Sequence, residues 1–302
     1  MPGIGHFAIG NTPLVRIPLG PEAGPAEFHA KLEWYNPTGS LKDRIALHML
    51  EAAEASGELQ PGKVLLEATS GNTGIALAAA ARAKGYRVQI VMSAAMSQER
   101  RRTLHALGAE LILTPGELGC DAAVVKAQEM AEDQRYYLLG QFQRPTNPDA
   151  HYRTTGAEVV RQKPDLDVFL AGIGTGGTIM GVGRMLRETL PHVKVAAIHC
   201  QMQSMIQGLM SLDQFVPPIL DLDMLDVKVP VSDEEAFAAA RELAADHGLF
   251  VGLSSGAVYA AARKLAAQGF RRIVGVFGDS GAKYLSTAAF AGIQCTCCRR
   301  QD

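Results

Sequence analysis

The sequence predicts an α/β protein of mainly parallel sheets covered by helices, because three patterns occur together. Short runs rich in Val, Leu and Ile alternate with longer stretches of helical period, Gly, Pro and Asn mark the junctions, and no apolar run reaches the roughly 18 residues of a membrane span. With 302 residues, 47% of them hydrophobic and 20% charged, the chain can bury one large core or two that share a cleft. Two lobes are expected.

The elements follow in order. VLLEA (64–68) is a strand leading into a helix from Gly74 to Ala83; YRVQIVM (86–92) leads into the helical SQERRRTLHALG (97–108), and AELILT (109–114) is the next strand. A second series runs from VFLAGIG (168–174) into a helix near Ile179 to Thr189, then VKVAAIHC (193–200) and VKVPV (227–231). Ser232, followed by Asp233, Glu234 and Glu235, has the form of an N-cap with an acidic first turn, opening a helix to about Asp246. A strand in FVGLSSGA, an Ala-rich helix and RRIVGVFGD close the series. Between the two series QFQRPTNPDAHY (141–152), rich in Pro and Asn, is expected to be a loop crossing between lobes.

Charge and cysteine content narrow the function. Lys and Arg number 29 against 31 Asp and Glu, so no global field recruits nucleic acid or an anionic membrane surface, and a small-molecule partner is expected. MPGIGHFAIGNTP lacks the charged and apolar regions of a secretion signal, which favours the cytosol. Five cysteines are too few for a disulfide scaffold; Cys120 and Cys200 stand singly. Cys295, Cys297 and Cys298 offer three soft ligands without a fourth or a nearby His, so no metal is expected.

Four constellations carry chemistry. Asn36-Pro37-Thr38-Gly39-Ser40-Leu41-Lys42-Asp43-Arg44 is a turn opening a helix, with Ser40 a possible N-cap. Lys42 then faces the positive end of the helix dipole, a poor place for an ammonium and a better one for an amine or imine; a solvated surface lysine is the plainer alternative. Thr69-Ser70-Gly71-Asn72-Thr73-Gly74 forms a polar cup before a helix, where free backbone N–H groups could receive a carboxylate. Gly172-Ile173-Gly174-Thr175-Gly176-Gly177-Thr178 fits the dinucleotide fingerprint G-x-G-x-x-G. An NAD site needs an acidic residue at the end of the next strand, where Ile198-His199-Cys200-Gln201 stand instead. A single phosphate monoester needs no such acid and suits the glycines with Thr175 and Thr178. Gly252-Leu253-Ser254-Ser255-Gly256-Ala257 and Gly278-Asp279-Ser280-Gly281 are, by themselves, common turns.

Taken together, NPTGSLKDR, EATSGNTGIALA, GTGGT, SSGA and AKYLST, in this order, resemble the cysteine synthase (O-acetylserine sulfhydrylase) family of fold type II pyridoxal-phosphate enzymes, and NPTGSLKDR and MSQERR resemble its B type. The resemblance runs from IGNTPLV (9–15) to about Gly292. It implies a two-lobed fold similar to the tryptophan synthase β chain, with 1–37 plus 147–302 as the larger, cofactor-binding domain and 38–146 as the smaller. It implies pyridoxal 5'-phosphate held by Lys42 as a Schiff base, by Asn72 at the phenolic oxygen, by Gly174, Thr175, Gly176, Gly177 and Thr178 at the phosphate, and by Ser254 at the pyridine nitrogen. Thr69, Ser70, Gly71, Thr73 and Gln141 correspond to the clamp on the substrate carboxylate. The implied reaction makes L-cysteine from O-acetyl-L-serine and sulfide through α-aminoacrylate, with Lys42 as general base, in a cytoplasmic homodimer.

One departure bears on the substrate. The segment from Gln203 to Asp213 contains no arginine, although B-type relatives often carry arginines there, and Met210 cannot pair with a phosphate or thiosulfate. S-sulfocysteine synthesis from thiosulfate, O-phosphoserine sulfhydrylase and cystathionine β-synthase-like activities stand as alternatives within the same chemistry, as does serine dehydration. An NAD-binding oxidoreductase would rest on the glycine loop alone.

Overall fold

The structure, a computed structural model, describes residues 9–69, 71–119 and 121–290. In chain order the elements are β1 (Leu14–Ile17), β2 (Glu27–Leu32), α1 (Lys42–Ala55), β3 (Val64–Ala68), α2 (Asn72–Ala83), β4 (Arg87–Ser93), α3 (Gln98–Ala106), β5 (Glu110–Thr114), α4 (Asp121–Ala131), β6 (Tyr136–Leu138), α5 (Thr146–His151) and α6 (Ala157–Gln162). They continue with β7 (Val168–Gly172), α7 (Gly177–Thr189), β8 (Lys194–His199), β9 (Val227–Pro230), α8 (Asp233–His247), α9 (Leu253–Ala267) and β10 (Arg272–Phe277).

Two sheets result. The smaller has the order β5-β4-β3-β6, all parallel; the larger has the order β1-β2-β10-β7-β8-β9, parallel except for the β1–β2 pair. Both are covered on two faces, which explains the uninterrupted apolar runs. In β7, Val168 and Leu170 face α8 and α9, while Phe169 and Ala171 face α6 and α7. In β3, Leu65 packs with Ile45, Met49 and Ile75 of α1 and α2, while Leu66 packs with Ala123 and Ala127 of α4. Side chains of period two on each strand thus feed separate apolar layers.

Local signals act as expected at α8: Ser232 Oγ accepts from Glu235 N at 3.2 Å and Glu235 Oε2 accepts from Ser232 N at 2.9 Å, closing a capping box. Two expectations are corrected. Residues 141–152 are not all loop, because Thr146–His151 forms α5; Pro145 and Pro148 lie at its N-cap and first turn, where no intrahelical N–H bond is lost. The strand expected in FVGLSSGA shrinks to a single bridge between Val251 and Ser280, since α9 starts at Leu253.

Among the described residues no helix is long and apolar enough to cross a membrane, and no group of three His, Cys, Asp or Glu is placed to hold a metal ion. Cys200 is a buried free thiol. Cys120, Cys295, Cys297 and Cys298 lie outside the described residues, as does Ser70.

Candidate active site

Strand ends from both sheets converge on one cleft of about 890 Å³, lined by Lys42, Thr69, Asn72, Thr73, Gln141, Gly174 and Thr175 among others. A narrow slot of about 80 Å³ continues from it between Lys42, Asn72, Gly174, Thr175, Thr178 and Ser254. Crevices beyond the carboxyl ends of parallel strands are the usual ligand sites of such sheets, and β3, β7 and β10 all end here. The structure therefore brings together residues that the sequence scatters over more than 200 positions.

Lys42 is the first residue of α1, after a tight turn in which Asp43 accepts from Thr38 N (3.1 Å) and Thr38 Oγ1 (2.8 Å). Leu41 N donates to Gly278 O at 2.9 Å, fastening that turn to the end of β10. Burial lowers the Lys42 ammonium from 10.5 to about 8, opposed by the negative charges of Glu67 and Asp279. A side chain so placed exchanges a proton close to neutral pH.

The cup before α2 is built on backbone geometry. Gly71 has φ of 145°, a conformation L side chains rarely adopt, and a Cβ there would lie 2.5 Å from Arg100 Cδ. Thr73 Oγ1 donates to Gln141 Oε1 at 2.7 Å, and Gln141 Nε2 donates to Ala68 O at 3.2 Å. Beneath them Glu67, 2% exposed, accepts from Gly140 N at 2.8 Å and lies 3.4 Å from Gln141 Nε2.

Burial lifts the Glu67 carboxyl from 4.5 to about 7. A carboxyl raised in the folded state lends stability in its protonated form, fully present below 4.5 and lost as pH rises through about 7. Glu67→Gln is expected to remove that slope. In chemical denaturation the wild type should lose on the order of 3 kcal/mol more than the variant between pH 4.5 and pH 8. Parallel pH dependences would refute the assignment.

At the far side of the slot, α7 presents its N-terminus after Gly174-Thr175-Gly176-Gly177. The first N–H groups of a helix have no intrahelical partners and attract an anion. A Cβ at Gly174 would stand 2.6 Å from Gly208 O, so only glycine lets these backbones approach. Asn147 Nδ2 donates to Thr175 Oγ1 (3.0 Å) and Gln141 O (2.7 Å), linking the anion loop to the cup. Thr178 Oγ1 pairs at 3.2 Å with Nε2 of buried His151, whose proton affinity burial pushes well below the usual.

The described residues expected at the site gather here, while Ser70 lies outside the described set. Two residues that sequence reasoning passed over also belong to it. Arg100, from the MSQERR string, lines the cleft with its guanidinium carbon 4.8 Å from the centre of the Tyr284 ring. Asp279, from the turn Gly278-Asp279-Ser280-Gly281, lines the slot with Ser254. Its position just past β10 was the available signal.

An anion seat at a helix N-terminus, an amine, an amide and a hydroxyl around one narrow slot define an α/β protein with a site suited to a small phosphate-bearing ligand. The family profile described as pyridoxal-phosphate dependent enzyme matches residues 6–279. A protein of Staphylococcus aureus named cysteine synthase is 41% identical over 295 residues, which are 94% of this chain and 95% of that protein. Among solved structures, O-ureido-L-serine synthase superposes with a TM-score of 0.89 at 40% identity, covering 95% of this chain and 94% of that one. A hydrogen sulfide-producing enzyme from Fusobacterium nucleatum gives 0.87 at 38% identity, with 92% and 97% covered. The chain belongs to the pyridoxal-phosphate-dependent enzyme family, with its fold type II architecture.

Proposed function

We propose that the chain is a cysteine synthase, replacing the acetoxy group of O-acetyl-L-serine with sulfide to give L-cysteine. The observation that carries this reading is the slot itself: its donor set fits pyridoxal 5'-phosphate at each end, and a cysteine synthase is 41% identical along nearly the whole chain. The Gly174–Thr178 loop and the α7 N-terminus would seat the phosphate, Ser254 would meet the pyridine nitrogen, and Asn72 would meet the ring oxygen. Lys42 Nζ would bond the aldehyde carbon. Once bound, the cofactor supplies an electron sink that stabilises negative charge at the substrate α-carbon, so that acetate can leave the β-carbon and sulfide can add.

The protein residues do the rest. Lys42 would hold the cofactor and, with its amine freed by an incoming amino acid and its proton affinity lowered by burial to about 8, would take the substrate's α-proton and later return one. Thr69, Ser70, Gly71 and Thr73 at the start of α2 would hold the substrate carboxylate, together with Gln141. The wall from Gln203 to Asp213 brings Met205 and Met210 to the cleft and no arginine, which favours the acetyl ester over a phosphorylated serine.

The smaller sheet lies wholly within 38–146 and the larger wholly outside it, which supports a division into a 38–146 domain and a larger 1–37 plus 147–302 domain. A cytoplasmic homodimer completes the reading. Steady-state assays with O-acetyl-L-serine should give L-cysteine with sulfide at a higher kcat/KM than S-sulfocysteine with thiosulfate. Preference for thiosulfate, or for O-phosphoserine over the acetyl ester, would overturn the substrate assignment.

A further inference from the structure

A network around Asp279 borders the slot, and of its members only Asn72 has a part in the reaction above. Asp279, 1% exposed, accepts at Oδ2 from Asn72 Nδ2 (2.7 Å) and from the Tyr284 hydroxyl (2.8 Å). Lys283 Nζ donates to Asn72 Oδ1 (2.9 Å) and to the carbonyls of Thr38 (3.2 Å) and Gly39 (3.3 Å) in the turn before Lys42. A carboxylate only accepts and an ammonium only donates, so these two neighbours decide which end of the Asn72 amide points which way. The Asn72 nitrogen carries two hydrogens. Asp279 takes one and leaves the other for the slot that Asn72 lines. The backbone bridge between Ser40 and Asp279 places this carboxylate beside the segment that delivers Lys42.

We propose that Asp279 is a positioning residue, which turns the Asn72 amide nitrogen toward the cofactor's ring oxygen and sets a carboxylate in the slot that Lys42 lines, favouring the cationic form of the Lys42 nitrogen. The proposal rests on the roles given above to Lys42 and Asn72. The groups whose charge acts with that of Lys42 are Glu67 on β3, His151 on α5 and Asp279. Around Asp279 stand Tyr284, Lys283 and Arg100, with Asp43 acting on Lys283. Glu67 is lifted to about 7 and gives up part of its charge near neutrality, and His151 is neutral there. Asp279, whose backbone is bridged to Ser40 two residues before Lys42, lines the same slot as Lys42. Tyr284, whose hydroxyl burial and Asp279 hold in the protonated form, is the donor that keeps the carboxylate in place.

The test follows the proton on the Lys42 nitrogen in two ways. In the holoenzyme, the visible band of the Lys42-linked cofactor should change at a pH at least one unit lower in Asp279→Asn than in the wild type, a tenfold loss of proton affinity. In cofactor-stripped protein, acylation of Lys42 by an amine-directed reagent, followed by mass spectrometry, should move its midpoint in the same direction. Lys283→Met should move both midpoints upward, because less of the Asp279 charge is then offset, and this variant carries the test should Asp279→Asn not fold. A purely structural role would lower cofactor content or stability and leave the midpoints alone. Wild-type protein without a visible band would overturn the Lys42 assignment itself; a band whose midpoint is unchanged in these variants overturns only the role of Asp279.

Discussion

Lys42→Ala is expected to abolish the visible band of the Lys42-linked cofactor and to lower kcat for cysteine formation by about 10³-fold or more, within the range that a positioned general base contributes. In the proposed mechanism two functions meet in this one amine, and Thr69, Thr73 and Gln141 of the cup bear no group that exchanges a proton near neutral pH. The wild-type rate should climb as pH rises through about 8, since the amine must be neutral to accept the α-proton. In the variant that limb should vanish. The fold should not suffer, because Lys42 as an ammonium is disfavoured both by burial and by the positive end of α1. A denaturation midpoint at or above that of the wild type, with activity lost, is the combined outcome expected. An active Lys42→Ala enzyme would remove the basis of the proposed mechanism.

How much of this was legible in the sequence depended on distance along the chain. VLLEA and VFLAG could be recognised as strands because burial on both faces leaves them almost wholly apolar, Glu67 excepted, and Ser232 to Glu235 because a capping box lies within four residues. The glycine loop pointed to a monophosphate seat because the chemistry of such a seat is backbone geometry. α5 was hidden by two prolines, whose cost depends on where in the helix they fall, and only the fold places Pro148 in the first turn. Asp279 was hidden for another reason: its partner Asn72 is 207 residues away, and an Asp in a Gly-Asp-Ser-Gly turn looks like any turn former until β10 and α1 are set side by side. Charge networks of long sequence separation are the class of feature that local pattern misses.

Arg44→Met is expected to cost about 3–5 kcal/mol of stability, the penalty for breaking a buried ion pair from one side. Arg44 is 2% exposed and binds Glu33 through Nε (2.7 Å) and Nη2 (2.8 Å), and Glu158 through Nη1 (2.7 Å) and Nη2 (3.0 Å). Lys31 Nζ reaches Glu158 at 2.6 Å, so two buried cations balance two buried carboxylates. Methionine fills the volume and leaves the pair Glu33 and Glu158 one charge short. Burial alone would raise Glu158, but Arg44 and Lys31 hold it down to about 2. That depressed value lends stability above 4.5 which fades as pH falls toward about 2, and in the variant, with Glu158 less depressed, less stability should be lost over that interval. The same cluster fastens Gly10, through Asn36, and Asn11, through Glu158, to the helix that begins with Lys42. Loss of Arg44 should therefore weaken cofactor retention as well as folding. Adding Glu158→Gln to Arg44→Met removes the uncompensated charge and should restore part of the stability, and denaturant midpoints of the two single variants and the double variant measure the coupling. If the two losses simply add, the four residues do not act as one charge-balanced unit, and the anchoring of α1 must come from its apolar face of Ile45, Met49 and Leu50 instead.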